Sequence, residues 1–121
     1  MNLNHYFKGI IDIDEKAIVI CNLEHEIVYM NHAAVKQYQK RGGAYLIGKS
    51  LFNCHSERAR EIIKRNLEMM KNDKTVNKIF ETHSSDPNKN VDIYFVGIRD
   101  DSGELIGYYE KFEDKNLYSG N

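Results

Sequence analysis

Val91-Asp92-Ile93-Tyr94-Phe95-Val96-Gly97-Ile98-Arg99, with the turn Asp101-Ser102-Gly103 and the run Leu105 to Phe112 behind it, is the stretch on which the fold turns. Both runs are rich in β-branched and aromatic residues, and the segment between them has turn chemistry. Val91, Ile93 and Phe95 fall on one face of the first strand, and Tyr94, Val96 and Ile98 on the other. In the second, Ile106, Tyr108 and Phe112 oppose Leu105 and Tyr109. An antiparallel strand with one wet face alternates apolar and polar residues. These strands do not, so both faces are expected to be covered: one by helices, the other by an N-terminal helix or a partner subunit.

Working outward, Val76 to His83 predicts the neighbouring strand, joined through a turn at Asp86-Pro87-Asn88. Before it, Ser56 is a good N-cap for a long helix, with Glu57 at its positive end and an apolar stripe of Ala59, Ile62, Ile63, Leu67 and Met70. Ala44 to Asn53 is irregular. Asn31 predicts the cap of a helix through about Arg41, closed by Gly42-Gly43. Ala17 to Cys21 and Ile27 to Met30 predict a hairpin around Asn22 to Glu26. Leu3, Tyr6, Phe7, Ile10 and Ile11 recur at helical spacing, so residues 3 to 13 predict an amphipathic helix. Asp114 to Asn121 is expected to fray. The order α-β-β-α-α-β-β-β describes an α+β domain, a five-stranded antiparallel sheet with helices on one face.

The chain has 121 residues, enough for one domain over 1–121. Seventeen Lys+Arg against eighteen Asp+Glu leave a net charge of -1, so no basic excess points to nucleic acid. The aromatic strand residues Tyr94, Phe95, Tyr108, Tyr109 and Phe112 could form a stacking platform, but chiefly Arg99 and Lys111 would line its groove. The longest apolar run, Ala17 to Cys21, is too short to span a bilayer, and the N-terminus lacks a signal peptide's pattern. A cytoplasmic location without membrane association is expected. Cys21 and Cys54 make no disulfide framework.

Catalytic readings find little support. There is no G-x-G-x-x-G, P-loop or nucleophile elbow. Cys54 and His55 are sequence neighbours, whereas catalytic pairs usually come from separate segments. Asp12/Asp14 and Asp100/Asp101 sit at turns, where solvation explains them. His5, His25 and His32 lack zinc-site spacing. The expectation is a binding module, not an enzyme, with no catalytic residues.

Four segments, in order, carry a family resemblance: Ala17-Ile18-Val19-Ile20; Ile27-Val28-Tyr29-Met30-Asn31-His32-Ala33-Ala34; Leu46-Ile47-Gly48-Lys49-Ser50; and Asp101-Ser102-Gly103-Glu104-Leu105-Ile106-Gly107. Together they resemble a PAS domain over about residues 6 to 113. His25 stands where the family usually has Gly in the first hairpin, which asks for positive φ there. Phe112-Glu113-Asp114-Lys115 replaces the family's Asp-hydrophobic-Thr/Ser ending. The resemblance implies a module for signal transduction, including regulation of transcription. It would bind a small ligand between sheet and helices and dimerise through the N-terminal helix (Leu3, Tyr6, Phe7, Ile10, Ile11) and the outer sheet face. The chain then reads as a stand-alone sensor or a piece of a longer protein, speaking to a downstream signalling partner.

On that reading Ile18, Ile20, Tyr29, His55, Ile62, Phe80 and Phe95 would line or border the ligand cleft. Gly48 to Arg60 resembles the segment of a haem-binding PAS subset, which implies His55 as an axial ligand. Ser56 stands where that subset has Pro, and Ala59 where it has Ser. If a helical turn reached back to His55, the imidazole would share the stripe of Ala59, Ile62 and Ile63. His83, Met69, Met70 and Cys54 are candidates for a sixth ligand. The alternative for His55 is structural, capping backbone or lining an apolar ligand site. Asn53-Cys54 is similar to flavin photosensors, but their Arg-Phe-Leu-Gln continuation is absent, so flavin is not expected. The ligand's identity stays open, haem being its sharpest form. A second reading is a ligand-free interaction module with a side-chain-filled core.

Overall fold

The computed structural model describes residues 2–83 and 90–115. Helix α1 (Leu3–Ile13) leads into strands β1 (Val19–Asn22) and β2 (Ile27–Met30), helix α2 (His32–Gln37) and three single 3₁₀ turns at Gln39–Arg41, Gly43–Leu46 and Leu51–Cys54. Helix α3 (Glu57–Asn72) and strands β3 (Lys78–His83), β4 (Val91–Arg99) and β5 (Leu105–Asp114) follow. The five strands form one antiparallel sheet in the order β2-β1-β5-β4-β3. This is an α+β architecture, and the expected element order holds throughout the described residues. The Asp86-Pro87-Asn88 turn and residues 116–121 of the expected tail lie outside them.

Local chemistry explains the boundaries. Asn2 caps α1 by accepting from Asn4 N, and Ser56 Oγ caps α3 by accepting from Ala59 N. The α2 helix stops at Gln37, earlier than expected, because Tyr38 leaves helical geometry (φ -103, ψ 20) and the chain tightens into 3₁₀ turns. Gly42 (φ 127) and Gly43 (φ 53) then reverse it. His25 does take positive φ, at 67.

One side chain ties the N-terminal half together. Asn31 is fully buried. Its Oδ1 accepts from Ile18 N and Ala34 N, each at 2.9 Å, while Nδ2 donates to Ile11 O at 2.9 Å and Lys16 O at 3.0 Å. It therefore joins the end of α1, the entry to β1 and the start of α2. The bond to Ile18 N is why the ladder begins at Val19 and not at Ala17.

The core lies between the sheet's inner face and the helices. Cys21, Ile27, Met30, Leu67, Met70, Phe95 and Tyr108 are buried there. Phe95 and Tyr108 stack with centroids 5.0 Å apart. At Gly107 the neighbouring β1 passes so close that a Cβ would stand 2.3 Å from Cys21 O.

The expected covering of both faces holds for one only within this chain. Paired residues share a face, so Phe80, Tyr94, Val96, Tyr109, Ile20 and Tyr29 belong to the outer side. Helix α1 does not lie over them; it has no buried residue, and Leu3, Tyr6, Phe7, Ile10 and Ile13 are all more than half exposed. Its C-terminal end is anchored instead, by Asn31 and by the Tyr29 hydroxyl, which donates to Asp12.

Candidate functional site

The segment between α2 and α3 closes over the inner face and leaves a cavity of about 90 Å³. Its apolar wall is Val19, Ile27, Met30, Leu46 and Leu51. Its polar groups are Tyr38, Arg41, Cys54, His55 and Glu110. Burial pushes the Tyr38 hydroxyl pKa up, with the Glu110 charge adding to the effect.

His55 reaches this cavity by a route other than the expected one. Helix α3 begins at Glu57, so His55 is extended (φ -119, ψ 142) ahead of the Ser56 cap and is not on the helical stripe. Its Nδ1 donates to Leu51 O at 2.9 Å, which in the neutral ring leaves Nε2 as the lone-pair nitrogen. Arg60 braces the same loop, donating from Nη2 to Phe52 O at 2.7 Å and from Nε to His55 O at 3.1 Å.

The other anticipated residues divide. Phe95 is buried in the core, and Ile62 lines a second cleft of about 220 Å³ between α3 and β3, with Arg65, Asn66 and Glu81. Ile18, Ile20, Tyr29 and Phe80 are not in the wall of the 90 Å³ cavity, although Phe80 borders the second cleft with Ile62. The strand period of two turns Val19 and Cys21 inward, which sends Ile18 and Ile20 to the opposite face with Tyr29, Ile20's paired neighbour. Phe80 pairs with Tyr94 on that outer side and is 48% exposed. His83 does not face His55 as a sixth ligand: it contacts the Phe80 ring and pairs with Asp92. Met69 is exposed, Met70 packs at Gly97, and only Cys54 of the other candidates shares the cavity with His55.

The fit to haem can be weighed on the same geometry. The free Nε2 of His55 suits a metal. The cavity does not suit a macrocycle, being well below the roughly 300–1,000 Å³ of sites for drug-sized molecules. Haem therefore does not fit between sheet and loop as they stand.

The most unusual chemistry lies in residues not singled out from the sequence. A bulge between Phe80 and Thr82 leaves Glu81 without a partner across the ladder. Glu81 lies within hydrogen-bonding reach of Glu110 on the inner face, and burial followed by the Glu110 charge pushes its carboxyl pKa up to about 8. Its Oε1 is buried with no hydrogen-bond partner among the described residues. Glu110 was legible by parity, since it sits between the inward Tyr108 and Phe112. Glu81 was not, because the bulge sets its direction.

A further buried chain runs nearby. His25 Nδ1 and the Tyr108 hydroxyl are 2.8 Å apart, and Cys21 is the partner of Tyr108 across the β1–β5 ladder. His25 stacks on Phe52 with centroids 4.0 Å apart. Burial lowers the His25 pKa and pushes the Cys21 thiol up to about 12, which leaves that cysteine inert at neutral pH. Among the described residues no group of three or more His, Cys, Asp or Glu could hold a metal ion, and no helix is long and apolar enough to cross a membrane.

A five-stranded antiparallel sheet with order β2-β1-β5-β4-β3, a helical segment over one face and a small cavity beneath it define the class as an α+β domain with its helices on one side of the sheet. The PAS domain family model matches residues 15–115, and the chain belongs to that family. No curated protein matches the sequence. Among solved structures it is similar to a C-terminal domain from Streptococcus mutans, with 18% identity, TM-score 0.72, and coverage of 94% of this chain and 85% of that one. The PAS domain of BvgS from Bordetella pertussis is 18% identical with TM-score 0.65, covering 96% and 88%. A receptor from Vibrio cholerae described as a dual PAS-haem oxygen sensor is 17% identical with TM-score 0.56, covering 83% and 94%. At these identities the likeness is one of fold.

Proposed function

We propose that this PAS domain is a sensory signalling module that binds a small ligand in the cleft and passes on its occupancy through dimerisation or partner contacts. The observation that carries it is the cavity itself: an apolar wall with Tyr38, Arg41, Cys54, His55 and Glu110 around it, roofed by single-turn segments. It acts by binding and not by catalysis, without nucleic acid or membrane, and its output goes to a second copy and a downstream signalling protein. The test is thermal denaturation against a panel of small metabolites. A ligand at a hundred times its Kd adds about 2.7 kcal/mol to the native state. No stabilisation across the panel would count against the reading.

The haem version rests on the free Nε2 of His55 and requires the roof over the cavity to open. An absorption spectrum with added haem, beside His55→Ala, decides it: a sharp Soret band that the substitution abolishes supports ligation, and no band, or one indifferent to His55, rejects it. The second reading, a ligand-free interaction module, is favoured by the exposed apolar stripe of α1 and the uncovered outer sheet face. It expects stability to depend on protein concentration alone.

A further inference from the structure

His25 is the one non-glycine residue with positive φ among the described residues, in the turn between β1 and β2. Its ring lies against the roof of the cavity, stacked on Phe52 with centroids 4.0 Å apart and planes 21° apart. Its carbonyl accepts from Leu51 N at 2.7 Å. Leu51, Cys54 and the adjoining His55 line the 90 Å³ cavity. One residue of the hairpin therefore holds down the 3₁₀ turn Leu51–Cys54 that closes it.

That hold depends on the ring's proton. Tyr108 is buried, and its hydroxyl has Nδ1, 2.8 Å away, as its one nitrogen or oxygen partner among the described residues. A buried hydroxyl needs an acceptor, so Nδ1 is bare and the neutral ring carries its proton on Nε2. A second proton, on Nδ1, would face the hydroxyl proton and leave it unaccepted. It would also put a third cation at the Phe52 ring, where Lys64 Nζ and Arg60 Cζ already stand 5.7 and 5.8 Å from the centroid. We propose that His25 is a pH-sensitive clasp: its neutral ring keeps the turn Leu51–Cys54 shut over the cavity, and its protonation frees that turn to lift.

This names a regulation of the proposed ligand cavity and rests on that reading for its purpose alone. With Phe52 lifted, the ring swings into water and takes a proton near the ordinary histidine pKa of about 6.5. In the closed state burial, followed by the Lys64 charge, holds that pKa lower. The titratable and charged groups around the ring are Arg60, Lys64 and Lys71 on α3, Tyr108 on β5, Cys21 on β1 and Glu24 in its own turn, of which only Glu24 favours the cation. The closed state thus binds fewer protons than the open one. Closure is fully supported above about pH 6.5 and loses up to about tenfold in its equilibrium constant per pH unit below that, until the ring protonates in place.

The test needs no ligand: amide hydrogen exchange of the whole chain, read as protection factors at about pH 7.5 and 5.5, beside an NMR titration of the His25 ring. Protection at Leu51, Asn53 and His55 should fall at least about threefold between the two, and should stay below that of the β4–β5 ladder. The ring should titrate with a midpoint below 6.5. His25→Gly takes positive φ without strain, and it should lower roof protection at the higher pH and remove its pH dependence. The clasp is overturned by roof protection that ignores pH, that falls equally in His25→Gly, or that matches the ladder so that opening is global. It is equally overturned if His25→Gly protects the roof as well as the parent does, or if the ring midpoint lies at or above 6.5. Each of those results leaves the ligand cavity to the metabolite panel, and a panel without a ligand leaves the clasp standing.

Discussion

The two faces of the sheet carry similar numbers of apolar side chains and put them to different uses. The inner face holds Phe95, Tyr108, Cys21 and Ile27 under the helices, and it also holds Glu81 and Glu110, which have no cationic partner among the described residues. The outer face shows Ile20, Tyr29, Tyr94, Val96, Tyr109 and Phe80, with charged Lys78, Lys111 and Glu113 paired beside them. Apolar residues in the core fix the shape, and under the proposed function the polar groups of the cavity wall are what a ligand would meet. On the open face the roles reverse: the charged residues are paired, and under the same reading the apolar ones are what a partner would meet. Composition alone would not separate the faces, whereas burial and pairing do.

Adjacent residues of one strand give the sharpest way to break this comparison. Phe95→Ala removes a fully buried ring stacked on Tyr108 and should cost about 3–5 kcal/mol in urea denaturation. Val96→Ala, one residue along and facing outward, should cost less than about 1.5 kcal/mol. Equal costs would mean that the outer face is as tightly packed as the core. Asn31→Ala comes next, at about 3 kcal/mol, because it strands several buried backbone partners together. It should also release α1, which limited proteolysis would report as faster cleavage before residue 17.

The fold was legible because its punctuation is chemical: Asn31 and Ser56 cap, Gly42-Gly43 and Asp101-Ser102-Gly103 turn, and the long β runs have no helical period. The site was less so. Ala17 to Cys21 is five apolar residues without alternation, so nothing in it says whether Ile18 and Ile20 or Val19 and Cys21 point inward. The answer comes from the bond of Ile18 to Asn31, a tertiary contact. His55 arrives at the cavity because the chain is extended before Ser56, while the helical stripe reasoning required one more turn. Glu81 depends on a bulge, and bulges leave little trace in a single sequence.

A smaller effect is the response to pH of two groups on the inner side of the sheet. Glu81 has a folded pKa raised above its unfolded value, so it favours the native state at low pH, and that contribution is lost as pH rises from the ordinary carboxylate range through about 8. His25, lowered by burial, works the other way, its penalty fading as pH rises towards 6.5 and gone above it. The difference in Tm between the chain and Glu81→Gln, followed from pH 5 to 9, isolates the first contribution. It should shift steadily in favour of the variant as pH rises. A difference independent of pH would mean that the inner-face pair does not hold its proton in the folded protein.

The smallest effect on the fold belongs to α1, where the effect on assembly should be largest. Leu3, Tyr6, Phe7 and Ile10 are all more than half exposed within the chain, so Phe7→Ser with Ile10→Ser should change the unfolding free energy of the monomer by no more than about 1 kcal/mol. The same pair should abolish any concentration dependence of sedimentation or of Tm, because the stripe would no longer offer an apolar seam to a second copy. Ile11 separates the two roles: its carbonyl is held by Asn31 and its side chain is only partly exposed, so Ile11→Ser should cost stability where the outer positions do not. If the Phe7/Ile10 variant stayed as associated as the parent, the outer sheet face around Tyr94 and Tyr109 would have to carry self-association alone, and α1 would be left as an anchored helix whose apolar side serves a different protein.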